Sequence, residues 1–293
     1  MSNPTPRINR IITISLVVSI LVILALLILP YFARAKEIHG SNICAANLRG
    51  IMNNMVIYAD SNNGQFPTVT YVPYSPVLNS PTATVTFTDP ADTINAYYTA
   101  PYPQAGSVTA NLWILTLQGM SPKLFICKQS NILSDPYVTG PAEIRDAHNN
   151  YYDNFQNDKQ LSYSFAYPWK ADGSVGKWWR NTGDATLPLA SDMAPQQGTG
   201  NPRRILNPAS APRNNKTWNS ANHAGIGQNV VFADLHVDYA TRPTVGHMND
   251  NIFTTGPALG GIPATKSPPN LTADSPPDDI IMYPIRNLDT GRL

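Results

Sequence analysis

The chain has 293 residues, of which only 13% are charged, and a formal net charge of +1. With no basic field to hold a polyanion, no nucleic-acid partner is expected. Its 27 prolines and 14 tyrosines fit a loop-rich, strand-containing exported domain better than a helical cytoplasmic one.

The first element is the stretch Ile11 to Leu29, IITISLVVSILVILALLIL, which is uncharged and interrupted only by Thr13, Ser15 and Ser19. As a helix it spans roughly 28 Å, about the thickness of a bilayer core. Arg7 and Arg10 precede it and no acidic residue occurs before Glu37. This bias keeps the N-terminus cytoplasmic and sends the remaining chain across the membrane. A buried core helix would need an apolar shell around all its faces. A cleaved signal peptide is the stronger rival, because Ala33-Arg34-Ala35 has the A-x-A form, although the apolar run is long for one. The expected organisation is a cytoplasmic N-terminus (1–10), a transmembrane helix (11–29), its amphipathic continuation (30–60), an exported globular domain (61–240) and a Pro/Gly-rich tail (241–293). The expected location is a single-pass membrane protein, with the lipid bilayer as its first partner and the domain in the periplasm or at the cell surface.

Pro30 can kink the helix without ending it. Beyond it, Tyr31 and Phe32 suit the interface, with Arg34 and Lys36 reaching the headgroups. Cys44, Leu48, Ile51, Met55 and Tyr58 then recur at helical spacing, and Asp60-Ser61-Asn62-Asn63-Gly64 supplies a helix end. Thr68 to Val72 and Thr84 to Thr88 are short β-prone pieces among prolines. Val108 to Gln118 predicts a short helix bearing Leu112, Leu115 and Trp113, and Leu124 to Cys127 a small buried strand. Ala142 to Lys159 reads as loop or weak helix, Leu161 to Tyr167 as a strand, Asp172-Gly173 as a turn and Leu187 to Ala190 as a brief apolar piece. Gln196 to Lys216 reads as a long surface loop.

Gln228 to Tyr239, QNVVFADLHVDY, predicts two strands joined at Asp234-Leu235. A two-residue turn there would pair Phe232 with Val237 and Val231 with Asp238. Leu235 fits such a turn poorly, since a positive φ costs leucine about 1 kcal/mol or more, so a different or wider turn is expected. Within the tail, only Ile280 to Ile285 has the character to dock or to add an edge strand. Asn270-Leu271-Thr272 has the form of a glycosylation acceptor.

Cys44 and Cys127 match no metal or redox spacing. A bridge between them would close a loop of roughly 83 residues and stabilise by roughly 4 kcal/mol on the chain-entropy model, with two buried free thiols as the alternative. Because one begins the apolar stripe and the other ends the small strand, both belong to one helix–sheet seam. A bridge is predicted, with Cβ atoms about 4 Å apart.

His223, Asp234, His236 and Asp238 are the ligand-bearing group. Two imidazoles and two carboxylates could hold a divalent ion, or in the remotest reading serve a metal-dependent hydrolase. Their spacing matches no short metal motif. The favoured reading is structural, with Asp234 accepting backbone hydrogen bonds and His223 closing a loop. No nucleophile motif such as G-x-S-x-G occurs, so the chain is not expected to be an enzyme and no cofactor is expected. Trp169, Trp178 and Trp179 are either core residues or a platform for carbohydrate or peptide.

The segment LLILPYFARAKEIHGSNICAANLRGIMNNMVIYADSNNGQFP resembles the helix of type IV pilin-like and type II secretion pseudopilin-like proteins of the planctomycete type. The matching residues are Pro30, Ala33 to Ala35, Cys44, Asn47-Leu48, Tyr58-Ala59, Asn62 to Gly64 and Phe66-Pro67. A second block, NHAGIGQNVVFADLHVDYA, is similar to the H…NVLFADGHV signature of the same group. The resemblance implies an α+β, pilin-like fold, a long N-terminal helix packed on an antiparallel sheet with long loops. It also implies a structural role in a filament or secretion-related assembly, with copies of itself or other pilin-like subunits as partners, and calcium in a C-terminal loop in some members. Three departures stand out. The positions of the family's cleaved glycine, its phenylalanine and its glutamate are here Ile8, Asn9 and Thr13. His223 and Asp234 are one residue further apart than usual, and Leu235 stands where the family's turn glycine stands. A surface binding module that keeps the scaffold without polymerising is the alternative function.

Overall fold

The computed structural model describes residues 6–69, 86–87, 108–127, 140–156, 160–169, 174–193, 219–223, 225–246, 252–255, 262–263 and 282–283. The expected pieces at 70–72, the turn at 172–173, the loop at 196–216 and the acceptor at 270–272 lie outside the described residues, as do the side chains of 30–39. Packing divides the chain into two compact units, Met1–Gly40 and Ser41–Leu293. Helix α1 (Pro6–Asp60) begins in the first and ends in the second, and Pro30 lies within it.

In the first unit, Arg10–Leu29 is the one stretch among the described residues long and apolar enough to cross a membrane. None of it is buried by the chain itself; Ile11 and Leu26 are two-thirds exposed. A helix greasy on every face and uncovered by protein belongs in lipid. The chain is a membrane-anchored protein with one candidate transmembrane helix and a β-sheet domain.

In the second unit the same helix becomes one-sided. Cys44, Leu48, Ile51, Met55 and Tyr58 are buried while Ile57 faces out. The helix ends as its residues dictate. Asn63 and Gly64 take left-handed backbone (φ 56° and 76°), and the Gly64 N–H returns to the Ala59 carbonyl at 2.8 Å. A Cβ on Gly64 would meet the Asn181 side-chain oxygen at 2.8 Å, so glycine serves both the turn and the close approach.

The sheet of this unit has strands β3 (Tyr163–Ala166), β4 (Pro188–Asp192), β5 (Gln228–Phe232), β6 (Val237–Ala240) and β9 (Met282–Tyr283). Their order is β6-β5-β4-β3-β9, every neighbouring pair antiparallel. Two small pairs accompany it, β1 (Thr86–Phe87) with β2 (Tyr151–Tyr152), and β7 (Thr254–Thr255) with β8 (Ile262–Pro263). The α+β architecture expected from the sequence is thus observed. Helix α2 (Val108–Leu117) forms where expected, and all ten of its residues are buried. Trp113 packs edge-to-face on Phe155, which packs in the same way on Phe125, each at 4.9 Å between centroids.

Two expectations are corrected, and a third, the wider hairpin turn, is met. Leu124 to Cys127 is not a strand. Ser121 and Pro122 are helix-start residues, the Ser121 Oγ accepts from the Lys123 N–H, and Pro122–Phe125 turns as a 3-10 helix before extending to Cys127. The hairpin register is one residue off the two-residue-turn pairing. Val231 faces Val237 and Val230 faces Asp238, because the turn is wider: Phe232 closes it with His236, and Leu235 sits at φ 71° in the position glycine usually takes. The segment expected as a Pro/Gly-rich tail contributes to the core as well as adding the edge strand. Ile252 and Phe253 are fully buried, and β9 pairs with β3 at the very stretch that had edge-strand character.

Candidate functional site

The ligand-bearing residues fall into two places, one buried and one exposed. The buried place is built where β4, β5 and the 3-10 segment Ala221–His223 meet the Ser41–Asp60 part of α1. Asp192 ends β4 and carries the charge of the group. One of its oxygens accepts from the Asn229 backbone N–H at 2.6 Å and from the Asn229 Nδ2 at 2.9 Å, and lies 3.0 Å from the His223 Nε2. The other lies 3.4 Å from the Asn222 Nδ2, which also donates to the Ser162 carbonyl at 2.6 Å. Both members of the Asp192–His223 pair are fully buried, so the donors around Asp192 replace the water it has lost.

Helix α1 enters this network at three points. Ser41 donates to the Asn229 side-chain oxygen at 3.2 Å, and Asn47 donates to the Ile126 carbonyl at 3.0 Å and to the Tyr163 hydroxyl at 3.2 Å. Cys44 is disulfide-bonded to Cys127, with Cα atoms 5.3 Å apart, as the seam argument predicted. Burial pushes the Tyr163 hydroxyl well above its ordinary pKa of 10, the Asp192 charge pushes in the same direction, and the Asn47 hydrogen bond opposes.

The exposed place is the β5–β6 turn. The Asp234 carboxylate accepts from the His236 backbone N–H at 3.1 Å and bonds the His236 ring nitrogen, while that ring stacks on Phe232 at 4.3 Å. Asp238 lies 3.8 Å from the other ring nitrogen. The His236 hydrogen bonds, backbone first, hold the Asp234 carboxyl below its ordinary value. This trio is a turn that satisfies its own donors.

His223 does not join the trio. Among the described residues, the four ligand atoms that lie within 4.8 Å of one another belong to Cys44, Cys127, Asp192 and His223. Sequence reasoning grouped His223 with Asp234, its neighbour along the chain, whereas the 3-10 turn at 221–223 sends it inward toward β4. Asp192 was missed altogether. Its signal was an acidic residue directly after the apolar run LPLAS, where a strand that is buried throughout has no use for a charge unless a partner waits inside.

The three tryptophans are core. Trp169, Trp178 and Trp179 are at most 3% exposed, and the indole N–H groups of Trp178 and Trp179 donate to the Tyr167 and Pro67 carbonyls. A separate polar cleft of about 260 Å³ opens at the C-terminal end of α1, lined by residues that include Tyr58, Asn62, Asn63, Gln65 and Thr68. Set against family models, curated proteins and solved structures, the chain finds no match.

Proposed function

We propose that the chain is a pilin- or pseudopilin-like structural protein, anchored by its N-terminal helix and serving as a subunit of a filament or secretion-related surface assembly rather than as an enzyme. One observation carries this reading: a single 55-residue helix holds both an apolar stretch of membrane length and a one-sided stretch that is part of the domain core. An element of that kind couples a domain to lipid, and its uncovered apolar faces are available to the same helix in other copies. Burial of Leu48, Ile51 and Met55, together with the Cys44–Cys127 bridge, supports a domain that cannot slide along its helix. The bridge also favours an oxidising, exported side for the domain.

The test is electron microscopy and cysteine-independent crosslinking of native membranes. Regular fibres or ladders of crosslinked copies support the assembly reading, and a dispersed monomer refutes it. The polar cleft at the end of α1, together with Thr13 where the resembling family has a glutamate, favours a second reading, a tethered module for carbohydrate or peptide. That reading requires the dispersed form, with ligand binding that substitution of Asn62 or Gln65 removes.

A further inference from the structure

Cys44, Cys127, Asp192 and His223 each bring one ligand atom to a common point, all within 4.8 Å of one another and all fully buried. Two thiolates, an imidazole and a carboxylate make a donor set that a tetrahedral ion of the zinc class accepts. With zinc bonds of about 2.0 Å to nitrogen and oxygen, and about 2.3 Å to sulfur, neighbouring N and O ligands lie about 3.3 Å apart and two sulfurs about 3.8 Å. The His223 Nε2 and an Asp192 oxygen are already 3.0 Å apart. The cysteine Cα atoms, 5.3 Å apart, leave the thiols to separate by side-chain rotation once the bridge is open. Asn229, bonded to both Asp192 and His223, already orients the other half of the set.

We infer that the reduced domain binds one thiophilic divalent ion of the zinc class at Cys44, Cys127, Asp192 and His223, and that bridge and ion are alternative occupants of one position. A dithiol reductant delivers two electrons and two protons to the bridge and becomes a disulfide itself, leaving two thiols. Binding of the ion then releases the two thiol protons. The proton held between His223 and Asp192 moves to the other ring nitrogen or to solvent. Either occupant fastens Cys44 of α1 to Cys127, so a chain that has not yet formed its bridge can hold the same seam with the ion. The inference is independent of whether the protein polymerises.

The test uses the full chain in detergent. It is unfolded, reduced with a trialkylphosphine, which becomes the phosphine oxide by taking oxygen from water, and diluted without air into buffer with or without one equivalent of zinc or cobalt. The expected result is one cobalt per chain, with thiolate-to-cobalt charge transfer and intense tetrahedral visible bands, displacement by zinc, and return of the near-ultraviolet dichroism of the bridged protein. The oxidised, bridged protein takes up none at this position. His223→Ala and Asp192→Ala weaken cobalt binding by at least about 100-fold, the upper end of what losing even a supporting group costs. Should either variant fold badly, His223→Cys keeps four ligands and raises the charge-transfer intensity by about half, through a third thiolate. Absence of charge transfer at one equivalent overturns the inference. So does binding indifferent to both Asp192→Ala and His223→Ala, which would mean that the cysteines chelate alone. Cobalt taken up without recovery of the native dichroism also overturns it, because the ion would then be held by an unfolded chain.

Discussion

Asp192→Ala isolates what the buried network contributes to the fold. The substitution removes the acceptor of the Asn229 backbone N–H, the Asn229 side-chain amide and the His223 ring, all inside a fully buried site. The Asn222 amide keeps its bond to the Ser162 carbonyl, so it loses little. Stranding a buried donor costs about 1–3 kcal/mol, and breaking a buried pair from one side about 3–5 kcal/mol. These terms describe overlapping losses, so the expected destabilisation is about 4 kcal/mol rather than their sum. Guanidinium unfolding of the bridged full chain in detergent, followed by tryptophan near-ultraviolet dichroism, measures it as a lower midpoint at unchanged slope. The His223→Ala change made in the same background should cost less than it does alone, with a coupling of about 1 kcal/mol or more, because His223 then has no carboxylate to lose. A loss under about 1 kcal/mol for Asp192→Ala, or strict additivity in the double variant, would refute the reasoning.

Replacing both cysteines by serine frees the loop that the bridge closes, 83 residues in separation, and the chain-entropy model gives a loss of about 4.5 kcal/mol, measured in the same unfolding assay. Gly176 lies under the Trp178 ring, where a Cβ would come within 2.3 Å of ring atoms, so Gly176→Ala should cost about 1–3 kcal/mol and broaden the tryptophan dichroism. Tyr163 has a raised pKa in the folded state. Its stabilisation is therefore fully present below the unfolded value of about 10 and is lost as pH rises beyond it, so Tyr163→Phe should flatten the alkaline limb of stability against pH. Asp234 is depressed, so its contribution is present above the ordinary carboxyl range and is lost as pH falls; Asp234→Asn should lower the neutral midpoint slightly and converge with the unaltered protein in acid. Intact mass of the membrane-extracted protein should show no cut between Ile8 and Asn9, since a branched side chain stands where a small residue is cleaved in the resembling family; a mass beginning at Asn9 would contradict this.

What the sequence made legible follows from periodicity. Cys44 to Tyr58 repeats at helical spacing, and that stripe is the buried face of α1. The apolar run before it is long, uncharged and unmistakable. The hairpin was legible as two strands, but its register depends on one extra turn residue, and pairing is indifferent to how hydrophobic Val230 and Val231 are, since both are buried. Ser121-Pro122 announced a helical start that the apolar run Leu124 to Ile126 concealed. The Asp192–His223 pair could not be read, because it depends on which strands lie side by side: Asp192 reaches Asn229 only because β4 pairs with β5. Contacts made by sheet topology leave no local spacing to find.

The strand order also bears on the sequence in which the sheet can be completed. Strands β3 to β6 come from one stretch of the sequence, yet the outer neighbour of β3 is β9, which is synthesised after all of them. Until Met282 and Tyr283 arrive, Phe165 and Ala166 keep an unpaired backbone edge. An open edge of this kind accepts a strand from any chain that offers one. The cap is two residues long, so its hold is short and a neighbour's copy of the same segment fits the vacancy equally well. Truncation before residue 282 should therefore leave the β3 edge open and convert the domain into a self-associating one.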